Sequence, residues 1–309
     1  MYELVIIGGG PAGGAAGVYA ARKKIKAALI TKDFLGQSVV SPDIQNWIGD
    51  KSISGMDLAQ KMEEHLRAQE GIDIFDGEIV IKAEKISGGF KITSESGKIL
   101  ETKTILVCSG SGRRKLGVPG EKQFDGKGVA YCATCDAPLF KDKSVAVIGS
   151  GNSGLEAAQD LLNYAGKIYI LEFLDAVKGD TVTLEKLIQS GKAEVITSAQ
   201  VQEIFGGDFV EGVKYLDKKS GVVKELKLQG VFVEIGAVPN VEFLGDLVQK
   251  NKLNEVVIDC STQKTSESGI WAAGDVSSVL YKQNNIAAGD AIKAVLNIYD
   301  YLIKPKTAE

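Results

Sequence analysis

Glu3-Leu4-Val5-Ile6-Ile7-Gly8-Gly9-Gly10-Pro11-Ala12-Gly13 decides the fold, because a short apolar run ends in a glycine loop and the alanine-rich residues 14–22 continue it as a helix. The order is strand, loop, helix. In such a unit the first glycine, Gly8, makes the tight turn, and the second, Gly10, lets a pyrophosphate approach the backbone. The third, Gly13, lets helix pack on strand, so that with Pro11 and Ala12 the loop holds a phosphate at the helix N-terminus. The next strand, residues 27–30, leads to Asp33, at about the place where a ribose-binding acid is expected.

The pattern then repeats. Val145-Ala-Val-Ile148 runs into Gly149-Ser150-Gly151-Asn152-Ser153-Gly154 and a helix over residues 155–162, with a second strand at 168–171. Each copy carries its own alternating stretch downstream, residues 79–100 in the first and 201–228 in the second, and its own further strand, 104–108 and 231–235. Two such fingerprints are far more specific than one. The fold class that follows is α/β, with two Rossmann-like, three-layer dinucleotide-binding domains. Gly117-Val-Pro-Gly120 and Gly236-Ala-Val-Pro239 read as a two-strand linker, which makes residues 117–241 a domain inserted between 1–116 and 242–309. The tail contributes Gly269-Ile-Trp-Ala-Ala-Gly274-Asp275, a strand ending in Gly-Asp, then Tyr281-Lys282-Gln283 and a helix over about 286–303.

Between the two loops lies Tyr131-Cys132-Ala133-Thr134-Cys135-Asp136-Ala137-Pro138. A Cys-x-x-Cys pair can close a small disulfide ring or hold half of a zinc site, and spacing alone does not choose. Zinc needs two more ligands, and the other candidates are Cys108 and Cys260, in apolar strand-like runs, and the single histidine His65, in a charged helix. No second paired ligand exists, so no metal is expected and a redox dithiol is the better reading. Asp136 is a carboxylate placed to move a proton when a thiolate leaves or re-forms; its plainer alternative is a turn residue. His65 reads as a surface residue and Cys108 as a small buried hydrophobe.

Composition narrows the classes. With 309 residues the chain can hold two domains with real cores, and 44% hydrophobic with 25% charged residues is ordinary for a soluble globular protein. A net charge of −4 argues against nucleic acid or an anionic membrane as main partner. No apolar run approaches the length of a membrane span, Met1 leads straight into a strand, and four cysteines are no disulfide framework, which points to the cytoplasm.

Taken together, G-G-G-P-A-G at residues 8–13, Asn46-Trp47, C-A-T-C-D at 132–136, G-S-G-N-S-G at 149–154 and A-G-D at 273–275 resemble the low-molecular-weight thioredoxin reductase family, over essentially the whole chain. The resemblance implies FAD in the first unit, with Asp275 reaching the ribityl chain and Asn46 and Gln283 near the cofactor; Gln37, Gly110, Gly274 and Lys282 join that set. It implies a pyridine nucleotide on the inserted unit. By the same resemblance Cys132 attacks the disulfide of a thioredoxin-like or glutaredoxin-like protein, Cys135 lies next to the flavin, Asp136 donates the proton, and the enzyme is a homodimer.

The departures shape the expectation. Where the family has His-Arg-Arg and a further Arg for a 2′-phosphate, this chain has Glu172-Phe-Leu-Asp-Ala-Val-Lys178, which looks closer to the flavoprotein component of alkyl hydroperoxide reductase, a relative that uses NADH. Because Met1 leads straight into the FAD unit, that relative's N-terminal thioredoxin-like domains are not expected here. Glu172 therefore reads as the acceptor for a ribose 2′-OH, with Lys178 the one nearby cation, and NADH as donor rather than NADPH. Ala137 stands where the family mostly has Gly, so a positive φ there would be less comfortable. The expected function is a thioredoxin reductase-like transfer from NADH through FAD and the Cys132/Cys135 disulfide to a protein disulfide. Its rivals are a ferredoxin-dependent relative, a dithiol oxidase using oxygen, and a flavin or nucleotide sensor without turnover.

Overall fold

The computed structural model describes residues 1–41 and 43–304. The chain divides into two compact units, one of Met1–Val39, Trp47–Gly112 and Val238–Glu309, the other of Val40–Asn46 and Arg113–Ala237. In chain order the first unit begins with β1 (Tyr2–Ile7), α1 (Pro11–Arg22), β2 (Ala27–Ile30), α2 (Gly55–Arg67), β3 (Ile72–Phe75), β4 (Val80–Ile86), β5 (Gly89–Ser94) and β6 (Ile99–Val107). β7 (Ser111–Arg113) crosses into the second unit, which holds β8 (Val129–Ala130), α3 (Ala133–Asp136), β9 (Ser144–Ile148), α4 (Asn152–Leu161), β10 (Lys167–Leu171), α5 (Thr181–Gln189), β11 (Ala193–Ile196), β12 (Ala199–Gly206), β13 (Val210–Asp217), β14 (Val222–Lys227) and β15 (Gly230–Val233). β16 (Ala237–Pro239) returns, pairing with β7, and β17 (Ile270–Ala272) and α6 (Asn284–Ile303) complete the first unit.

The first sheet runs β3-β2-β1-β6-β5-β4, with β17 also on β6. β1 pairs in parallel with β2 and β6, so Ile7 lies beside Ile30 and Val107. Alternation along β1 explains how one strand serves two cores: Leu4 and Ile6 pack with α1 and α6 residues such as Ala16 and Val295, while Val5 and Ile7 pack on the opposite face with Phe90, Ile92 and Val241. Each aliphatic side chain so buried contributes about 1.5–3 kcal/mol. The alanines and glycines of α1 let helices approach: a Cβ on Gly17 would meet Leu66 of α2 at 2.4 Å.

The second unit repeats the scheme. Its parallel sheet runs β11-β10-β9-β15-β8, and an antiparallel sheet β12-β13-β14 accounts for the alternation read over residues 201–228. β3, β11 and α5 are elements that the sequence reading does not anticipate; the first two are short edge strands. Among the described residues no helix is long and apolar enough to cross a membrane.

Three details of the sequence reading change. The units divide at 112/113 and 237/238 rather than at 117 and 241, and residues 117–120 are a turn built into the second unit. There the Leu116 and Gly117 N–H groups donate to the Glu121 carboxylate at 2.9 and 2.8 Å, the Tyr131 hydroxyl donates to it at 3.0 Å, and a Cβ on Gly120 would lie 1.8 Å from the Ile204 carbonyl oxygen. Cys260 is exposed in a turn, not in a strand; its carbonyl accepts from Lys293 Nζ at 2.8 Å. Ala137 has φ −52°, helical backbone that alanine adopts without strain, so the missing glycine costs nothing.

Candidate active site

A cleft of about 710 Å³ opens in the first unit at the carboxyl ends of β1, β2, β6 and β17, and Gly8, Gly10, Pro11 and Ala12 form its floor. Sterics dictate glycine at two places. Gly8 has φ +112° and a Cβ there would lie 2.3 Å from the Cys108 carbonyl oxygen; a Cβ on Gly13 would lie 1.8 Å from the Gly8 oxygen, so α1 sits directly on the turn. Gly10 is different, with nothing within 4 Å of its absent Cβ. It is the N-cap of α1, with no side-chain cap and no acid in the first turn, so the N–H groups of that turn are left for an anion.

The cleft's far wall is polar. Gln37 Nε2 donates to Asp275 Oδ2 at 3.1 Å and to Ser111 Oγ at 3.2 Å, which fixes the carboxylate at the end of β17. Gly274 (φ +77°) lets the chain pass between α1 and α6, since a Cβ there would lie 3.3 Å from that of Ala12 and 3.2 Å from that of Ala287. Gly110 and Asp33 also line the cleft, and Asp33 Oδ1 accepts from the Leu35 N–H at 3.1 Å. Three expected residues are not in this lining. Asn46 clusters with the second unit, and Gln283 is the N-cap residue of α6. Lys282 pairs with Glu255 at 3.0 Å and donates to the Asp275 and Ser277 carbonyls, so it steadies the backbone that carries Asp275. Asn284, at the head of α6, does line the cleft and was missed; its only signal in the sequence is its place at a helix start.

In the second unit the same steric solution recurs. Gly149 has φ +105° with the Glu234 carbonyl oxygen 2.5 Å from a Cβ, a Cβ on Gly154 would lie 2.0 Å from the Gly149 oxygen, and Gly151 again faces open space. Asn152 and Ser153 begin α4, and Asn152 Oδ1 accepts from the Asp180 N–H at 3.0 Å. Glu172, at the end of β10, is buried, and its carboxylate accepts from the Ser150 N–H at 2.9 Å, the Ser150 hydroxyl, and the Leu174 N–H at 2.9 Å. It braces the glycine loop from behind, and three of its roughly four acceptor sites are taken. Lys178 is not the one nearby cation: Lys218, from the β13–β14 turn, lies 3.8 Å over the Phe173 ring and donates to the Phe173 carbonyl at 3.2 Å.

Cys132 and Cys135 are joined as a disulfide, Cα atoms 5.4 Å apart, both half-buried. β8 delivers Cys132 as the N-cap of the single turn α3, and its carbonyl accepts from the Cys135 and Asp136 N–H groups at 3.3 and 3.1 Å. Burial raises the Asp136 carboxyl above the usual carboxylate range, opposed by a 3.0 Å hydrogen bond from the Ser41 hydroxyl and by the Arg113 charge. A carboxyl held so holds its proton more readily than a solvated one. Burial also pushes the Cys108 thiol far up, so it behaves as an inert packing residue. His65 is exposed, and among the described residues no group of three or more His, Cys, Asp or Glu is placed to hold a metal.

Two dinucleotide-type units, one of them carrying the Cys132–Cys135 disulfide, define a thioredoxin reductase-like flavin disulfide oxidoreductase fold. Residues 2–291 match the family described as pyridine nucleotide-disulphide oxidoreductase, and the chain belongs to that family. Its cofactors are FAD and NAD(P)H, and the apolar first cleft with its uncapped helix terminus fits an adenine dinucleotide of that size. The thioredoxin reductase of Streptococcus pyogenes MGAS5005 superposes with a TM-score of 0.90 at 34% identity, covering 98% of both chains. The F component of alkyl hydroperoxide reductase from Escherichia coli (strain K12) is 41% identical over 311 residues, 99% of this chain and 59% of that protein. A protein named NADH dehydrogenase from Bacillus subtilis (strain 168) is 40% identical over 303 residues, 98% of this chain and again 59% of its own length. The chain thus spans about three-fifths of the curated relatives it matches.

Proposed function

We propose that the protein carries electrons from NADH through FAD to the Cys132–Cys135 disulfide and on to a disulfide of a small thioredoxin-like or glutaredoxin-like protein. The observation that carries the reading is that disulfide, set between a sheet edge and a helix turn of the unit with the second glycine loop. FAD, when bound, supplies hydride acceptance from the nicotinamide and two-electron delivery to a disulfide. The chain's own residues do the rest. After reduction the Cys132 thiolate attacks one sulfur of the partner's disulfide, forming a mixed disulfide, and the departing partner thiolate takes a proton from the Asp136 carboxyl. Cys135 then attacks Cys132 Sγ, restoring the internal disulfide and releasing the partner with its second thiol. Two electrons and two protons leave with the partner.

The curated relatives named as the F component of alkyl hydroperoxide reductase favour a second reading, in which the accepting disulfide belongs to a hydroperoxide-reducing protein. Anaerobic stopped-flow reduction with NADH, NADPH and reduced ferredoxin side by side, followed by re-oxidation with thioredoxin, glutaredoxin or a peroxide-reducing partner, tests both ends of the chain. Failure of every disulfide to re-oxidise the protein would leave a sensor.

NADH should be preferred over NADPH. A 2′-phosphate about 4 Å from the Glu172 carboxylate costs about 4 kcal/mol at an effective dielectric of 20. Lys218, beside Phe173, offsets part of that. A net of about 1–2 kcal/mol, or roughly five- to thirtyfold in kcat/KM, remains. Equal values for the two nucleotides would refute the preference. Lys218→Glu should widen it, and because Glu172 braces Ser150, Lys218 is the cleaner position to vary.

A further inference from the structure

Strand order in the second unit puts the crevice for a dinucleotide between β9 and β15, because the connections from β9 go to β10 and β11 on one side and the chain then returns to β15 on the other. Glu234 is the first residue past β15, and its backbone forms one lip of that crevice: its N–H donates to the Ile148 carbonyl at 2.9 Å and its carbonyl abuts Gly149. Its side chain leaves toward the head of α4, with its Cβ 3.8 Å from where a Gly154 Cβ would be. A half-buried carboxyl therefore stands beside the loop meant for a diphosphate.

We propose that Glu234 is a nucleotide-positioning residue, which admits the dinucleotide diphosphate in its protonated form and repels it when ionised. This rests on the reading that the second glycine loop binds a pyridine nucleotide. The charged groups facing it are Arg113, from β7, and Glu156 and Asp160, from α4, and Asp160 is itself held by the Thr134 hydroxyl at 2.8 Å. Burial pushes the Glu234 carboxyl up to about 7, Arg113 opposes this, and Asp160 and Glu156 add to it. The proton would thus be lost across the neutral range. Its chain neighbours Val233 and Ile235 turn into the apolar core, while the Glu234 side chain stays partly exposed.

The test is isothermal titration of the FAD-loaded protein with NAD⁺ and with ADP-ribose across pH. If only the protonated form binds, Kd for both rises about thirtyfold between about pH 6 and about pH 8.5. In Glu234→Gln it should change by less than about twofold and stay near the low-pH value, while Asp136→Asn should keep the full rise. A flat wild-type profile, or a rise that survives in Glu234→Gln, overturns the proposal. A rise with NAD⁺ but not ADP-ribose overturns the diphosphate contact. Absence of binding by either ligand at any pH would overturn the nucleotide reading itself.

Discussion

Turnover of a protein disulfide falls by on the order of a thousandfold or more in both Cys132→Ser and Cys135→Ser, while NADH still bleaches the yellow colour of either protein as fast as in the wild type. The argument is one of division of labour. Disulfide exchange needs one thiolate to attack and a second to resolve the mixed disulfide, so the pair acts as a unit and the loss of either member is close to the loss of both. Cys132 lies two residues past β8 and caps α3, whereas Cys135 lies one turn on, inside the helix. Cys135→Ser should therefore accumulate a mixed disulfide between Cys132 and the partner, visible on a non-reducing gel, and Cys132→Ser should not. The reverse pattern would exchange the roles. Undiminished disulfide turnover in either variant would remove the dithiol from the reaction.

Gly10→Ala should give a folded but colourless protein. The N-cap backbone of Gly10, φ −69° and ψ −168°, is open to alanine, and beyond its chain neighbours its methyl would meet no atom of the described residues within 4 Å. It would instead meet a ligand lying on the loop. A methyl forced into a diphosphate's approach costs about 2–3 kcal/mol, or roughly thirty- to 150-fold in FAD affinity. Gly151→Ala is the matched variant in the second unit: it should stay yellow and raise the KM for NADH by a similar factor. Gly13→Ala is the contrast. With a carbonyl oxygen 1.8 Å from the new atom, helix and strand cannot keep their packing, and the expected outcome is insoluble protein. Wild-type flavin content in purified Gly10→Ala would show that the first loop is not where the cofactor's phosphates lie.

What the sequence made legible is what depends on neighbours in the chain. The strand, glycine loop and helix could be read twice because Gly8 and Gly13, or Gly149 and Gly154, meet within one turn, and the Cys132–Cys135 pairing could be read because the two cysteines are three positions apart with no further paired ligand for a metal. What escaped depends on partners far along the chain. The turn over 117–120 is held by a contact with Ile204, Lys218 reaches Phe173 from a hairpin 45 residues on, and Ser41 meets Asp136 across 95 residues. No local pattern encodes those meetings. Ala137 differs for a related reason: a family habit of glycine suggests a conformational need, and the backbone there has none.

The Glu121 knot has a consequence for how the redox motif opens. One carboxylate ties the amides of residues 116 and 117 to the hydroxyl of Tyr131, the residue just before Cys132, and Lys115 Nζ covers the Tyr131 ring at 3.6 Å. Three donors converging on one buried anion make that flank expensive to unfold, whereas α3 is a single turn with no side-chain cap. The Cys135 side is tied differently, through two side-chain hydrogen bonds, Thr134 to Asp160 and Ser41 to Asp136. A cut between the sulfurs therefore leaves both ends of the motif anchored from outside it, the first through backbone amides and the second through side chains.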